Sequence, residues 1–294
     1  RRSLFTFTLS FPRCAARNGN ISWLGLSTPQ PDHLQMKLLF LFLCFTVAVN
    51  AQSPSANDVA RFLAGLPLHG TKLDHLSDTP AWQQHARQVN DAWTQSEQRQ
   101  LLKVRRWAPA ALGEAYAAAS PMFYFFSGAD FLYPYALFPN AGTYVLCAKE
   151  PVGSQPDPTR IPPEELNDAL AMFRNSLNPL LNFSFFITKD LRNNVAQKHI
   201  PGVLPVIELI LVRNGSQIID VSLVRCTRSG AIVDSRKARE GSQGVCIRFI
   251  RPEGREQRLY YFEADISNSG LKGSEGVLRF CERLGRGQCL LKAT

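Results

Sequence analysis

The sequence predicts an α+β fold, with N-terminal helices packed against a largely antiparallel sheet built from hairpins. Three observations predict it. Helix signals crowd residues 52–120, strand and turn signals dominate 121–294, and the two kinds of element do not alternate as they would in a parallel βαβ fold. The chain has 294 residues, 45% of them hydrophobic and 19% charged, which is the composition of a folded globular protein. At roughly 100–200 residues per domain, that length implies one or two domains with a sizeable core. Disordered, collagen-like and small disulfide-scaffold proteins are excluded as the dominant class.

In chain order, Ser55 is placed to cap a helix over Ala56–Leu66, with Asp58 in its first turn, and Gly65, Pro67 and Gly70 end it. Thr79-Pro80 is a second start, a hydroxyl acceptor followed by proline at the first helical position, where its missing N–H costs nothing. Pro80–Arg106 then reads as one long helix or two consecutive ones, interrupted around Thr94–Glu97. Trp82, Val89, Trp93, Leu101, Val104 and Trp107 give it an apolar stripe suited to packing.

Beyond Ser120 the pattern changes. Met122–Phe126 and Thr143–Ala148 read as strands, joined by a loop holding Pro134 and Pro139. Val152–Pro163 reads as a surface connection before a helix over Glu164–Leu177, and a strand at Phe183–Ile187 and a polar helix near Lys189–Lys198 follow. Asn214-Gly215 supplies the two residues of a type I′ turn, so Leu204–Arg213 and Ser216–Cys226 are expected to form a hairpin. In that register Glu208 opposes Val221, and Asp220 opposes Leu209. A second hairpin is expected from Gly244–Ile250 and Arg258–Asp265 around Pro252-Glu253-Gly254, before a helix over Glu275–Leu284.

The N-terminal region predicts export. No methionine precedes Met36, and Lys37, the apolar run Leu38–Val49 and the short residues before Ala51 have the order of a secretory signal. Twelve apolar residues are a signal rather than an anchor, since a spanning helix needs about 20. The expected organisation is therefore upstream non-native or disordered sequence over 1–35, a signal peptide over 36–51, a helical part over 52–120 and a sheet part over 121–294, the last two packed as one domain. The expected location is the periplasm or the secreted fraction, with no stable membrane insertion after cleavage. The remaining chain has 28 basic against 23 acidic side chains, a net +5, with no recognised nucleic-acid motif, so no nucleic-acid partner is expected. Five cysteines remain, and in an oxidising compartment Cys226–Cys246 and Cys281–Cys289 are the first disulfides to test, with Cys147 a buried strand residue.

Familiar catalytic and cofactor signatures are missing: the sequence has no Gly-x-Ser-x-Gly, no phosphate-cradling loop, no His-Glu-x-x-His and no dinucleotide fingerprint. No cofactor and no metal site is expected, and His69, Asp74, His75 and His85 read as exposed side chains rather than ligands. The densest feature is aromatic. Nine rings fall between Phe123 and Tyr144, eight of them within Phe123-Tyr-Phe-Phe-Ser127-Gly-Ala-Asp130-Phe-Leu-Tyr133-Pro-Tyr135-Ala-Leu-Phe-Pro-Asn140. Such a block either fills the core or lines a ligand groove, with Ser127, Asp130, Tyr133, Tyr135 and Asn140 as the candidate ligand-binding residues. Together with Tyr144-Val-Leu and Glu150-Pro-Val-Gly153, the block resembles uncharacterised exported, signal-peptide-bearing proteins of Gram-negative bacteria. That resemblance implies export and a shared fold, and it carries no activity.

Three functions compete. The first is a noncatalytic binding module whose small ligand or envelope component sits against the aromatic block. The second is a hydrolase using paired carboxylates from Asp130, Glu208 and Asp265, which must then converge in one pocket. The third is a structural envelope protein.

Overall fold

Apolar residues at every second position build the centre of the molecule. The computed structural model describes residues 53–125, 130–183, 198–265, 267, 269–270 and 272–289. Its strands are β1 (Met122–Tyr124), β2 (Thr143–Ala148), β3 (Gln217–Cys226), β4 (Ile232–Asp234), β5 (Ser242–Ile250), β6 (Glu256–Glu263) and β7 (Gln288–Cys289). They form one mixed sheet in the order β4-β3-β5-β6-β2-β1-β7. The long ladders β3–β5 and β5–β6 are antiparallel, whereas β6–β2, β2–β1 and β1–β7 are parallel. With helices besides, the fold is α+β.

The sheet is covered on both faces. Tyr144 and Leu146 of β2, Val245, Ile247 and Phe249 of β5, and Leu259 and Tyr261 of β6 point into the main core. Their neighbours Val145, Cys147, Phe262 and, at the end of β3, Cys226 point into a smaller one. Burial on both sides is why Tyr144–Ala148 is a continuous apolar run rather than an alternating one.

The main core is closed by helices α1 (Ala56–Leu63), α3 (Pro80–Ser96), α7 (Pro163–Phe183) and α8 (Leu204–Arg213), and the smaller one by α9 (Glu275–Leu284). Short helices α2 (Asp74–Ser77), α4 (Leu102–Leu112), α5 (Glu114–Ala117) and α6 (Leu132–Leu137) complete the described set. Ser55 caps α1 by accepting from Asp58 N, and Thr79 caps α3 with Pro80 at its first position. No helix of the described residues is long and apolar enough to cross a membrane.

Several expectations need correction. Leu204–Arg213 is a helix, not a hairpin arm. Its residues Leu204–Val212 are all buried, and all but Glu208 are apolar, as suits a helix enclosed by its neighbours. Asn214-Gly215 ends it in a Schellman motif: Gly215 has φ 80°, Ser216 N donates to Leu211 O at 3.1 Å and Gly215 N to Val212 O at 3.0 Å. Glu208 consequently does not face Val221, whose partner is Ile247, and Asp220 faces Arg248 instead of Leu209. Pro134 lies within α6, not in an irregular loop. The helix beginning at Pro80 changes where the interruption is expected, its α-helical part ending at Ser96, but the chain stays helical there. It passes through a π-helical turn, Glu97–Leu101, into α4. The second hairpin stands as β5 and β6, and α9 has the expected bounds. Phe183, where a strand is expected to begin, ends α7, and the segments 1–52, Phe126, the rest of the strand expected at Phe183–Ile187, the helix expected near Lys189–Lys198 up to residue 197, and Leu290–Thr294 lie outside the described residues.

The suggested disulfides are also absent, since all five described cysteines are free thiols. In the β3–β5 ladder Cys226 pairs with Ser242 and Cys246 with Ser222. Four residues of offset put the two cysteines about 13 Å apart along the ladder, at roughly 3.3 Å per residue, about twice what a disulfide spans. Cys281 packs against the smaller core, whereas Cys289 is exposed on β7. Titration of the native protein with an aromatic disulfide reagent is therefore expected to modify Cys289 first and Cys147, buried with its thiol pKa pushed well up by desolvation, only on unfolding. A native thiol count of one or none, rising only after reduction, would contradict this arrangement.

Candidate functional site

Side chains far apart in sequence close on one cleft of about 280 Å³. The π-helical turn supplies Glu97, α4 Arg105, α5 Tyr116, α6 Tyr135, the end of α8 Arg213, and the β5–β6 turn Arg251. A π turn adds one residue to a helical turn and rotates the remainder of the helix about its axis, which is how these segments recur at working sites. Here it presents Glu97 to Arg105, with Oε1 2.5 Å from Nη1.

Three guanidinium groups and two carboxylates line this cleft, Glu253 being the second. Both carboxylates are taken: Glu97 by Arg105, and Glu253 by Arg251, whose Nε lies 3.1 Å from Oε2. Arg213 has only uncharged partners among the described residues. Its Nη1 donates to Asn90 Oδ1 at 2.6 Å, its Nη2 donates to Ala64 O, and its guanidinium lies 5.9 Å over the Trp93 ring. Its Nε has no hydrogen-bond partner. Burial lowers the Arg213 pKa to about 10, so it stays charged at neutral pH. One positive charge in the cleft is therefore uncompensated by a cleft carboxylate.

The expected ligand residues separate. Tyr135 lines the cleft, with the Arg251 guanidinium 5.8 Å over its ring, and its hydroxyl shares a hydrogen bond with Ser216 Oγ at 3.1 Å. Asn140 stands just behind the rim: Nδ2 donates to Tyr116 O at 3.0 Å and Oδ1 accepts from Arg251 Nη1 at 3.2 Å. It thereby positions two lining residues. Asp130 is elsewhere, fully buried, with Oδ2 accepting from the Tyr124 hydroxyl at 3.2 Å. Burial, followed by that carboxylate, raises the Tyr124 pKa. Tyr133 donates to Gln100 Oε1 and does not line the cleft. Ser127 lies outside the described residues.

Much of the aromatic block is core. Phe131, Tyr135, Tyr144 and Phe249 interlock, with ring centroids 4.9 Å apart for Phe131–Tyr144 and 6.4 Å for Tyr144–Phe249.

The three carboxylates proposed for hydrolysis have three separate surroundings. Glu208 is fully buried on α8, where Gln155 Nε2 donates to Oε2 at 3.3 Å and Oε1 has no partner. Desolvation pushes its pKa up to about 8, so it is mostly protonated at neutral pH. Asp265 lies after β6 and binds Lys149 Nζ at 2.7 Å and Ser267 N at 2.9 Å. Those bonds, Lys149 first, hold its pKa at about 2. Its surroundings form a shallow basin of about 590 Å³. No described cavity is lined by two of Asp130, Glu208 and Asp265.

His85 is not an exposed residue as its sequence context suggested, for it is fully buried. Nε2 lies 2.8 Å from Leu63 O and Nδ1 3.1 Å from Arg174 Nη1. A carbonyl only accepts and a guanidinium only donates, so the proton sits on Nε2 and the ring is neutral. Desolvation lowers its pKa to about 4, consistent with that state. Among the described residues no group of three His, Cys, Asp or Glu side chains is arranged to hold a metal.

Another depression, of about 690 Å³, lies along the outer face of α9. Arg279 and Glu275 pair across it at 2.5 Å, one helical turn apart, as on a solvated helix surface. Compared with family models, curated proteins and solved structures, the chain matches none.

Proposed function

We propose that the protein is an exported, noncatalytic binding module whose small ligand occupies the cleft between Arg105, Tyr116, Tyr135 and Arg251. The observation that carries this reading is the convergence of the aromatic block, through Tyr135, with polar side chains from five other segments around one concavity. A few polar groups fixed above an aromatic wall are the ordinary makeup of a small-molecule site. Export is supported by the Lys37–Ala51 pattern alone. The separate surroundings of Asp130, Glu208 and Asp265 give hydrolysis by paired carboxylates no support.

The test is a thermal-shift panel of neutral sugars, neutral amino acids, carboxylates and phosphate esters on the full chain. A specific ligand at a hundred times its Kd stabilises by about 2.7 kcal/mol, which raises Tm by about 5–10 °C for a domain of this size. That saturable shift is expected for at least one compound, and Tyr116→Ala, which removes a half-buried lining ring, is expected to abolish it. A panel with no saturable shift would leave a structural role as the better reading.

A further inference from the structure

We infer that the cleft is an oxyanion site, taking a carboxylate or phosphate group of its ligand between Arg105, Arg213 and Arg251. This deepens the preceding proposal and rests on it.

Three guanidinium groups around about 280 Å³ repel one another, and a fold tolerates them where counter-charge is at hand. Glu97 and Glu253 supply two counter-charges, leaving one guanidinium, Arg213, with neutral acceptors and a Trp93 face. A monoanion entering the cleft completes the neutralisation.

The donors remain in excess as well. A guanidinium carries five N–H groups, and among the described residues Arg105 spends two of them, one on Glu97 and one on Asn214 Oδ1 at 2.7 Å. The guanidinium fork matches the two oxygens of a carboxylate or phosphate, which an amide or hydroxyl ligand cannot engage in the same way. The forks are also held in place beforehand. Arg251 is fixed by Pro139 O at 2.7 Å, by Asn140 and by the Tyr135 ring, with its side chain only 14% exposed. Arg213 is fixed by Asn90, Ala64 and Trp93. Donors ordered before binding lose little entropy on meeting an anion.

The experiment is isothermal titration of the full chain with inorganic phosphate, with citrate, and with sodium chloride at matched ionic strength. Saturable binding of phosphate or citrate, absent with chloride, is expected. Saturation by one of the two and not the other assigns the oxyanion class. Arg105→Gln, at a position with 34% of its side chain exposed, is expected to keep the parent's Tm within a few degrees and to weaken Kd at least 10-fold. Arg279→Gln removes the same charge from the distant α9 surface and is expected to bind as the parent does. Equal weakening by both variants would mean general electrostatic attraction and would overturn the site. A neutral compound that protects through Tyr116, with no response to either oxyanion, would overturn the inference while sparing the binding reading. Silence from both panels would remove both.

Discussion

Glu208→Gln is expected to make the protein more stable at neutral pH and to leave it unchanged in acid. The Glu208 carboxyl is completely enclosed, its first cause of perturbation is desolvation, and its pKa rises from 4.5 to about 8. Between those two values the folded chain keeps a proton that the unfolded chain releases. More protons bound in the folded state means that stability falls as pH rises. The loss begins near pH 4.5, is complete above about pH 8, and costs about 1.4 kcal/mol for each pH unit between. Gln keeps the shape and an acceptor for Gln155 Nε2 but has nothing to ionise. At pH 7 the variant should gain about 3 kcal/mol over the parent, a Tm difference of about 6–12 °C, and below pH 4.5 the two should melt together. Parallel Tm profiles for parent and variant from pH 4 to pH 8 would mean that Glu208 is solvated and paired.

Glu208 also shows where sequence reading stopped. Leu204-Pro-Val-Ile-Glu-Leu-Ile-Leu-Val-Arg213 followed by Asn-Gly satisfies both a strand entering a type I′ turn and a buried helix ending on a Schellman glycine. A short apolar run has no period that separates the two. The one local signal was Pro205, which suits the first turn of a helix and interrupts a central strand. Features set by neighbouring residues were legible: the caps at Ser55 and Thr79, strand Thr143–Ala148, the turn at Pro252-Glu253-Gly254 and the helix over Glu275–Leu284.

The cleft was half legible. Tyr135 and Asn140 stood out because rings and turn residues cluster locally around them. Arg105, Arg213 and Arg251 did not, because more than a hundred residues separate the first two and nothing local marks an arginine as facing another. Their meeting is a consequence of tertiary packing: Arg105 Nη2 reaches Asn214, the residue after Arg213, while Arg251 hangs on Pro139 beside α6.

Gly153→Ala and Gly202→Ala are each expected to be severely destabilising, far more than Gly254→Ala. All three glycines have positive φ, 81°, 80° and 85°, so each substitution carries the same backbone penalty, about 1–2 kcal/mol. The surroundings separate them. A Cβ on Gly153 would stand 2.1 Å from Pro201 O, and one on Gly202 would stand 2.3 Å from Gly153 Cα and from Val152 O, whereas nothing lies within 4 Å at Gly254. The two segments cross backbone to backbone, clasped by Val203 N to Pro151 O and Leu204 N to Val152 O, both at 3.1 Å. This crossing sets the start of α8 against the segment after β2, and so brings Gln155 to Glu208. A methyl at either glycine must part the two segments and break that clasp, adding about 2 kcal/mol or more in lost hydrogen bonds and packing. The total, about 3–4 kcal/mol or more, should lower Tm by about 6–16 °C, against about 2–8 °C for Gly254→Ala. Because the clasp also seats Gln155, whose hydrogen bond holds the Glu208 pKa down against desolvation, Gly153→Ala should push that pKa further up and carry the Glu208-dependent loss of stability beyond pH 8, a readout that simple overcrowding would not alter. Equal melting of all three variants would mean that the crossing is open and that its glycines serve only their own backbone angles.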